Sequence, residues 1–194
     1  MRKVALIDYS SSSVSLLIAK TEGSVMESIL HTRTPLSFAG SVYQDRKLTE
    51  IEIPELLDIT DSFIITCKEN GVSNLYAIAS ANLASVKGID DILALVTEKT
   101  GLGIYKLDMA TEAEARIFAN ERYSILPHST LIDFGSITTK IYSFSDYISS
   151  VPLGPLTLGQ DYVSEVIPTR TEAKRMKVAP KEALAEATLP EEGF

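Results

Sequence analysis

Two stretches of the chain carry residues that could do chemistry, and they share a pattern. Val4–Ile7 is a short apolar run that ends in a carboxylate, Asp8. Four serines follow after Tyr9, namely Ser10, Ser11, Ser12 and Ser13, and then Val14, Leu16, Leu17 and Ile18 resume an apolar run. Leu131 and Ile132 likewise run into Asp133, then into the small residues Gly135, Ser136, Thr138 and Thr139, before a returning strand. Each stretch predicts a β-hairpin with a hydroxyl-rich turn and a carboxylate at the end of its first strand. Two such hairpins suggest two related lobes facing a shared cleft. Two carboxylates so placed suit a magnesium ion held through water, because Mg²⁺ prefers carboxylate oxygens and keeps part of its hydration shell. The alternative is that Asp8 and Asp133 each cap a strand end and accept backbone hydrogen bonds. The serine run keeps hydroxyl donors, although taken alone it reads as a polar turn. Glu114 is a third candidate. It can act as a base on a water, or it can close a capping box with Thr111 and have no chemical role.

The elements that must position these residues follow from periodicity. After the first hairpin, Ser24–Thr34 reads as a third strand and Pro35–Asp45 as a loop. A helix starts near Thr49 or, better, with Pro54 in its first turn, where the missing N–H costs nothing. Ile53, Leu56, Leu57, Ile59, Phe63, Ile64 and Cys67 recur at helical spacing, and Asn70-Gly71 closes that helix. Leu75–Ala79 is a strand, Ile89–Thr100 a helix stopped by Gly101, Leu102–Leu107 a strand, and Thr111–Tyr123 a helix rich in Ala, Glu and Arg. The order β-β-β-α-β-α-β-α predicts a mixed sheet with helices on its faces. Beyond Leu126, strands are predicted at Leu131–Asp133, Lys140–Phe144 and Tyr147–Leu153. An LGPL turn follows, with helical character at Thr171–Met176 and one short helix within Ala179–Phe194.

Composition narrows the function classes. The 194 residues can bury a core and build one or two small domains. The formal net charge of −8 argues against nucleic-acid binding, which uses a basic face, and leaves any phosphate site to local groups. Cys67 is the single cysteine, so no intrachain disulfide forms, and it reads as a buried small apolar residue. Arg2 and Lys3 precede an apolar run broken by Asp8, which is no signal peptide, and no stretch reaches the roughly 18 apolar residues of a membrane span. The expectation is a cytoplasmic protein with neither nucleic acid nor membrane as partner.

With these elements in place, the chain resembles the exopolyphosphatase/guanosine pentaphosphatase (Ppx/GppA) family, in the superfamily of acetate and sugar kinases, heat-shock ATPases and actin. IDYSSSSVSLLI stands where the family has IDxGSNSxRLLI. LYAIASANLASVKG stands where it has a strand followed by ATSALRxAxN. TGLGIYKLDMATEAEAR takes the place of the segment ending SGxEEAR, LIDFGSITTKIYSF that of IDIGGGSTEL, and VPLGPLTL that of SLPLGAVRL. The resemblance implies an α/β, ribonuclease-H-like lobe over residues 1–126, with a mixed sheet and flanking helices. A shortened second lobe of the same type, with a C-terminal helical tail, would follow over 127–194. It implies hydrolysis of terminal phosphates from polyphosphate or pppGpp with magnesium. Asp8 and Ser10 to Ser13 match the first phosphate loop, and Asp133, Gly135, Ser136 and Thr138 the second. Asp8 and Asp133 would hold the metal, and Glu114 matches the general base.

This sequence departs from the pattern at the positions that matter. Ser10 replaces a glycine, Ser12 an asparagine, Ser15 an arginine and Ala84 a second arginine. Ser136 and Ile137 replace two glycines, Lys140 replaces a glutamate, and the chain stops before a late VGVGGT-like segment. Glycines let a backbone approach phosphate closely, and arginine adds bidentate, permanently charged bonds. The expectation is therefore a phosphatase-family protein with degenerate phosphate loops and weak or no hydrolase activity. The alternative is a non-catalytic regulatory or interaction module on the same scaffold. An ATP-using kinase or ATPase is the weakest reading, because the glycine-rich adenosine segment is absent. The apolar segment Tyr147–Leu158 predicts a partner surface, most simply for a second copy of the chain.

Overall fold

Alternation sets up the first sheet. In β1 (Arg2–Tyr9), Ala5, Ile7 and Tyr9 are buried, while Val4, Leu6 and Asp8 on the opposite face are half-buried. A strand that covers one face more deeply than the other produces this two-residue period. In the computed structural model, which describes residues 2–23, 25–37, 52–119, 130–143 and 147–189, β1 lies at the centre of a five-stranded sheet. β2 (Ser13–Glu22) pairs with β1 antiparallel, and β3 (Val25–Pro35) pairs with β2 antiparallel at one edge. β4 (Asn74–Ala79) runs parallel to β1, and β5 (Tyr105–Lys106) runs parallel to β4. The spatial order is β3-β2-β1-β4-β5.

Parallel neighbours need crossovers, and helices supply them. α1 (Glu52–Glu69) lies between β3 and β4 in the chain. Its C-terminus closes as expected. Gly71 takes φ +66°, its N–H donates to Lys68 O at 3.0 Å, and the Val72 N–H donates to Cys67 O at 3.0 Å. This double bond satisfies two of the carbonyls that a helix end leaves open. A short α2 (Ala81–Ala84), capped by the Ser80 hydroxyl, follows β4, and α3 (Ile89–Thr100) stops at Gly101 with φ +72°. The core holds Ile7, Leu16, Ile18, Leu56, Phe63, Cys67, Leu93 and Val96. Tyr9 reaches through it to α1, its hydroxyl 2.8 Å from Thr60 Oγ1.

The chain forms two compact units, 1–108 and 109–194. The second begins with α4 (Met109–Ala119), and the lobe boundary expected near Leu126 lies outside the described residues. Its sheet has the order β6-β7-β8, all antiparallel, from β6 (Leu131–Phe134), β7 (Thr139–Tyr142) and β8 (Tyr147–Val151). β7 is central and every one of its residues is buried. α5 (Pro155–Tyr162) and α6 (Arg170–Ala185) complete the unit. No helix among the described residues is long and apolar enough to cross a membrane.

Several element boundaries differ from the sequence reading. α4 starts at Met109, so Thr111 is inside the helix and does not cap it. β5 is only Tyr105–Lys106, not Leu102–Leu107. The LGPL segment is a helix start: Pro155 is pre-set for the first helical position. α6 is one helix and runs through Pro180. Its start is strongly held. The Glu172 carboxylate accepts from the Thr169 N–H at 2.7 Å, the Thr169 hydroxyl at 2.8 Å, the Ser164 hydroxyl at 2.7 Å and the Ser164 N–H at 3.0 Å. The Thr169 N–H and these further donors pull the Glu172 pKa down to about 2. A depressed carboxylate pKa contributes stability above its ordinary value of 4.5, and that stability is lost as pH falls from 4.5 through about 2. Acid titration followed by helical circular dichroism should show part of the signal lost in that window, and Glu172→Gln should remove that component.

α6 also bears on the expected partner surface. α6 packs against α5, with Leu153, Leu158, Tyr162, Ala179 and Ala183 lining one groove between these elements. Val151 and Leu153 are buried. Within the segment from which a partner was expected, Leu156 and Leu158 are half-buried and Pro152 and Pro155 are exposed.

Candidate functional site

The second unit brings four charged side chains together. Glu112 and Arg116 stand four residues apart on α4, which places them on one helix face. Asp133 on β6 lies directly opposite Lys140 on β7 in the antiparallel register, so both leave the same face of the sheet. Lys140 Nζ donates to Glu112 Oε1 at 2.7 Å, with both side chains about 5% exposed. Arg116 Nη2 and Nε reach the same oxygen at 3.1 and 3.2 Å, and Arg116 Nε lies 3.1 Å from Asp133 Oδ2. Burial pulls the Arg116 pKa down, but the Asp133 and Glu112 carboxylates outweigh it, and the net shift is upward. Two carboxylates and two cations form one closed network. Buried charges are tolerated only when so paired.

This donor set does not suit a divalent cation. Mg²⁺ needs oxygen atoms with lone pairs turned toward it, and the groups that meet Glu112 Oε1 and Asp133 Oδ2 here are ammonium and guanidinium N–H donors. Among the described residues no group of three or more His, Cys, Asp or Glu side chains is placed to hold a metal ion.

The turn between β6 and β7 is fixed from the side of α5. Gly135 N–H donates to Thr138 O at 2.9 Å, and a Cβ on Gly135 would meet that oxygen at 2.8 Å. Leu156 N–H donates to Ser136 O at 2.9 Å, and Thr157 Oγ1 donates to Ile137 O at 2.5 Å. Gly154 sits against the turn so closely that a Cβ would come within 2.4 Å of Ser136 O. The small residues read from sequence as a second phosphate loop thus hold their turn through backbone carbonyls.

In the first unit the serines form the turn of the β1–β2 hairpin. Ser10 N–H donates to Ser13 O at 2.8 Å, and Ser10 Oγ lies 2.9 Å from Ser13 O and 3.0 Å from Ser13 Oγ. Ser11 and Ser13 are buried. Arg33, from β3, bonds back onto this turn: Nε donates to Ser13 Oγ at 2.7 Å and Nη2 to Ser12 Oγ at 3.4 Å. The register explains the meeting. Asp8, Ser15 and Arg33 stand opposite one another across β1, β2 and β3 and share a face. A guanidinium therefore lies one strand away from position 15, where the family motif carries its own arginine.

The remaining named residues fall as follows. Glu114 is exposed on α4, and two residues along a helix do not share a face, so it points away from the Glu112 network. Ser136 and Thr138 lie in the second turn beside Gly135, and Asp8 is half-buried at the end of β1. Glu112 and Arg33 were missed. No local signal marks Glu112: Lys140 is flanked by Thr139 and Ile141, and its burial, which demands an acid, follows from β7 being the central strand.

Comparison with known proteins now bears on the whole arrangement. The sequence profile of the Ppx/GppA phosphatase family matches residues 17–191. No curated protein matches the sequence. Among solved structures, the type II variant of the Aquifex aeolicus Ppx/GppA phosphatase superposes with a TM-score of 0.69 at 23% identity. The match covers 98% of this chain and 65% of that one. Another structure of the Aquifex aeolicus family member gives 0.71 at 24% identity, over 97% of this chain and 63% of that one. An exopolyphosphatase from Cytophaga hutchinsonii gives 0.75 at 15% identity, over 94% and 61%. This chain spans less than two thirds of the length of these structures, and at such identities the likeness is one of fold, the actin-like α/β fold expected from the motifs. On the profile match, the chain belongs to the Ppx/GppA phosphatase family.

Proposed function

We propose that this Ppx/GppA-family protein hydrolyses polyphosphate or pppGpp feebly or not at all; the alternative is a non-catalytic regulatory or protein-interaction module on the same scaffold. The observation that carries the reading is the buried Glu112–Lys140 pair at 2.7 Å. A general base must offer a carboxylate lone pair to water within hydrogen-bond reach. Glu112 Oε1 is committed to Lys140 and Arg116, and Glu114 lies exposed on another face of the helix. The first turn adds to this, because the Ser10 N–H is spent on Ser13 O rather than aimed at an anion. The test is phosphate release from polyphosphate and from pppGpp with magnesium, comparing the protein with its Glu114→Ala variant. Equal background release from both is expected. Turnover of about 1 s⁻¹ or more, the range of ordinary enzymes, that disappears in the variant would overturn the reading.

A further inference from the structure

We propose that Lys140 is an internal counter-ion that takes the place of a divalent cation at the acidic end of β6, so that the chain binds no divalent metal at Asp133. The inference rests on membership of the family and goes beyond the question of turnover. Three observations carry it. Lys140 and Asp133 are cross-strand partners on one sheet face, so the ammonium is delivered to the carboxylate's surroundings by the backbone register. The ammonium is almost fully buried and bonded to Glu112 at 2.7 Å, which makes it a fixed part of the core and no mobile surface charge. Arg116 spans the remaining gap, touching both Glu112 and Asp133. The two carboxylate charges are thereby balanced by two covalently attached cations. A divalent ion entering there would add two charges to a neutral cluster whose Lys140–Glu112 half is buried, although Arg116 and Asp133 reach the surface. It would face like charge at close range, which costs more beside that buried half than in water.

The first unit carries a parallel. Asp8 shares its register row with Arg33, so there too a basic side chain stands on the face of the aspartate that was expected to hold metal.

The experiment titrates Mn²⁺ into the full chain and follows free Mn²⁺ by electron paramagnetic resonance, with thermal unfolding as a second readout. The wild type and an Asp133→Asn variant should give superimposable Mn²⁺ curves, whether flat or weakly adventitious. Lys140→Glu would gather three carboxylates around one arginine and should bind Mn²⁺ at least tenfold more tightly than wild type, with a higher unfolding temperature in its presence. Lys140→Gln, which removes only the charge, should shift the same way by less. If Lys140→Glu is unfolded without metal, refolding by Mn²⁺ supports the inference. Saturable wild-type binding that Asp133→Asn abolishes would overturn it, and so would the absence of any Mn²⁺ response in both Lys140 variants. Wild-type Mn²⁺ binding without phosphate release would sink this inference and leave the proposed function standing. Phosphate release without such binding would do the reverse.

Discussion

Replacing Lys140 by methionine should lower the stability of the protein by about 3 kcal/mol, a shift of roughly 1–3 M in the urea midpoint. Methionine keeps most of the volume, so the cost is not a cavity. It arises because Glu112, about 6% exposed, is left with one cation where it had two. Breaking a buried pair from one side typically costs about 3–5 kcal/mol, and the lower end applies here because Arg116 remains in reach. Converting both partners to apolar residues of similar volume should recover most of the loss, since the desolvation of both charges is then removed together. A loss below about 0.5 kcal/mol, the range of ordinary surface substitutions, would mean that the ammonium is not bound as described.

Restoring Ser15→Arg and Ala84→Arg together should raise the affinity for inorganic phosphate or tripolyphosphate by roughly two to four decades. The magnitude follows from about 1.5–3 kcal/mol for each charge-assisted bond at about 1.4 kcal/mol per decade. Position 15 stands between Asp8 and Arg33 in one register row. An arginine there gains an opposite charge on one side and a like charge on the other, and a like charge directly opposite is unfavourable. An anion bound at the turn relieves that repulsion and gains from both cations, so Ser15→Arg combined with Arg33→Ala should gain less affinity than Ser15→Arg alone. Affinity should return before turnover does, because positioning precedes chemistry. Isothermal titration with phosphate is the measurement. A folded double variant with unchanged phosphate affinity would mean that the serine turn is not an anion site.

The first unit was largely legible in the sequence. The apolar run Val4–Ile7, the helical repeat from Ile53 to Cys67, and the stops at Asn70-Gly71 and Gly101 each have a local cause, and a strand, a helix and two helix ends formed there. The second unit was less legible. The LGPL segment reads as a turn, yet Pro155 opens α5; Thr171–Met176 and Ala179–Phe194 read as separate helical pieces, yet α6 runs through Pro180, with four bonds at Glu172 securing its start. The helix that carries Glu114 starts earlier than the sequence reading put it. Motif spacing pointed to Glu114 and read Thr111 as a cap, but α4 starts at Met109, and it is Glu112 that turns inward with Ala113. Lys140 was recognised as out of place, but its burial depends on β7 being central in its sheet, and strand order is a tertiary fact. Arg33 reaches the serine turn only through the β2–β3 register, which no local pattern announces.

The central claim is that Glu112 and Lys140 act as one buried pair closing the charged centre of the second compact unit. A double-mutant cycle of Glu112→Leu and Lys140→Met, read by urea unfolding, tests it most directly. The account predicts strong coupling: the double variant should be more stable, by about 2 kcal/mol or more, than the sum of the single losses implies, within the range found for contacting residues. Losses that add to within about 0.5 kcal/mol, as for sites with no shared partner, would contradict it.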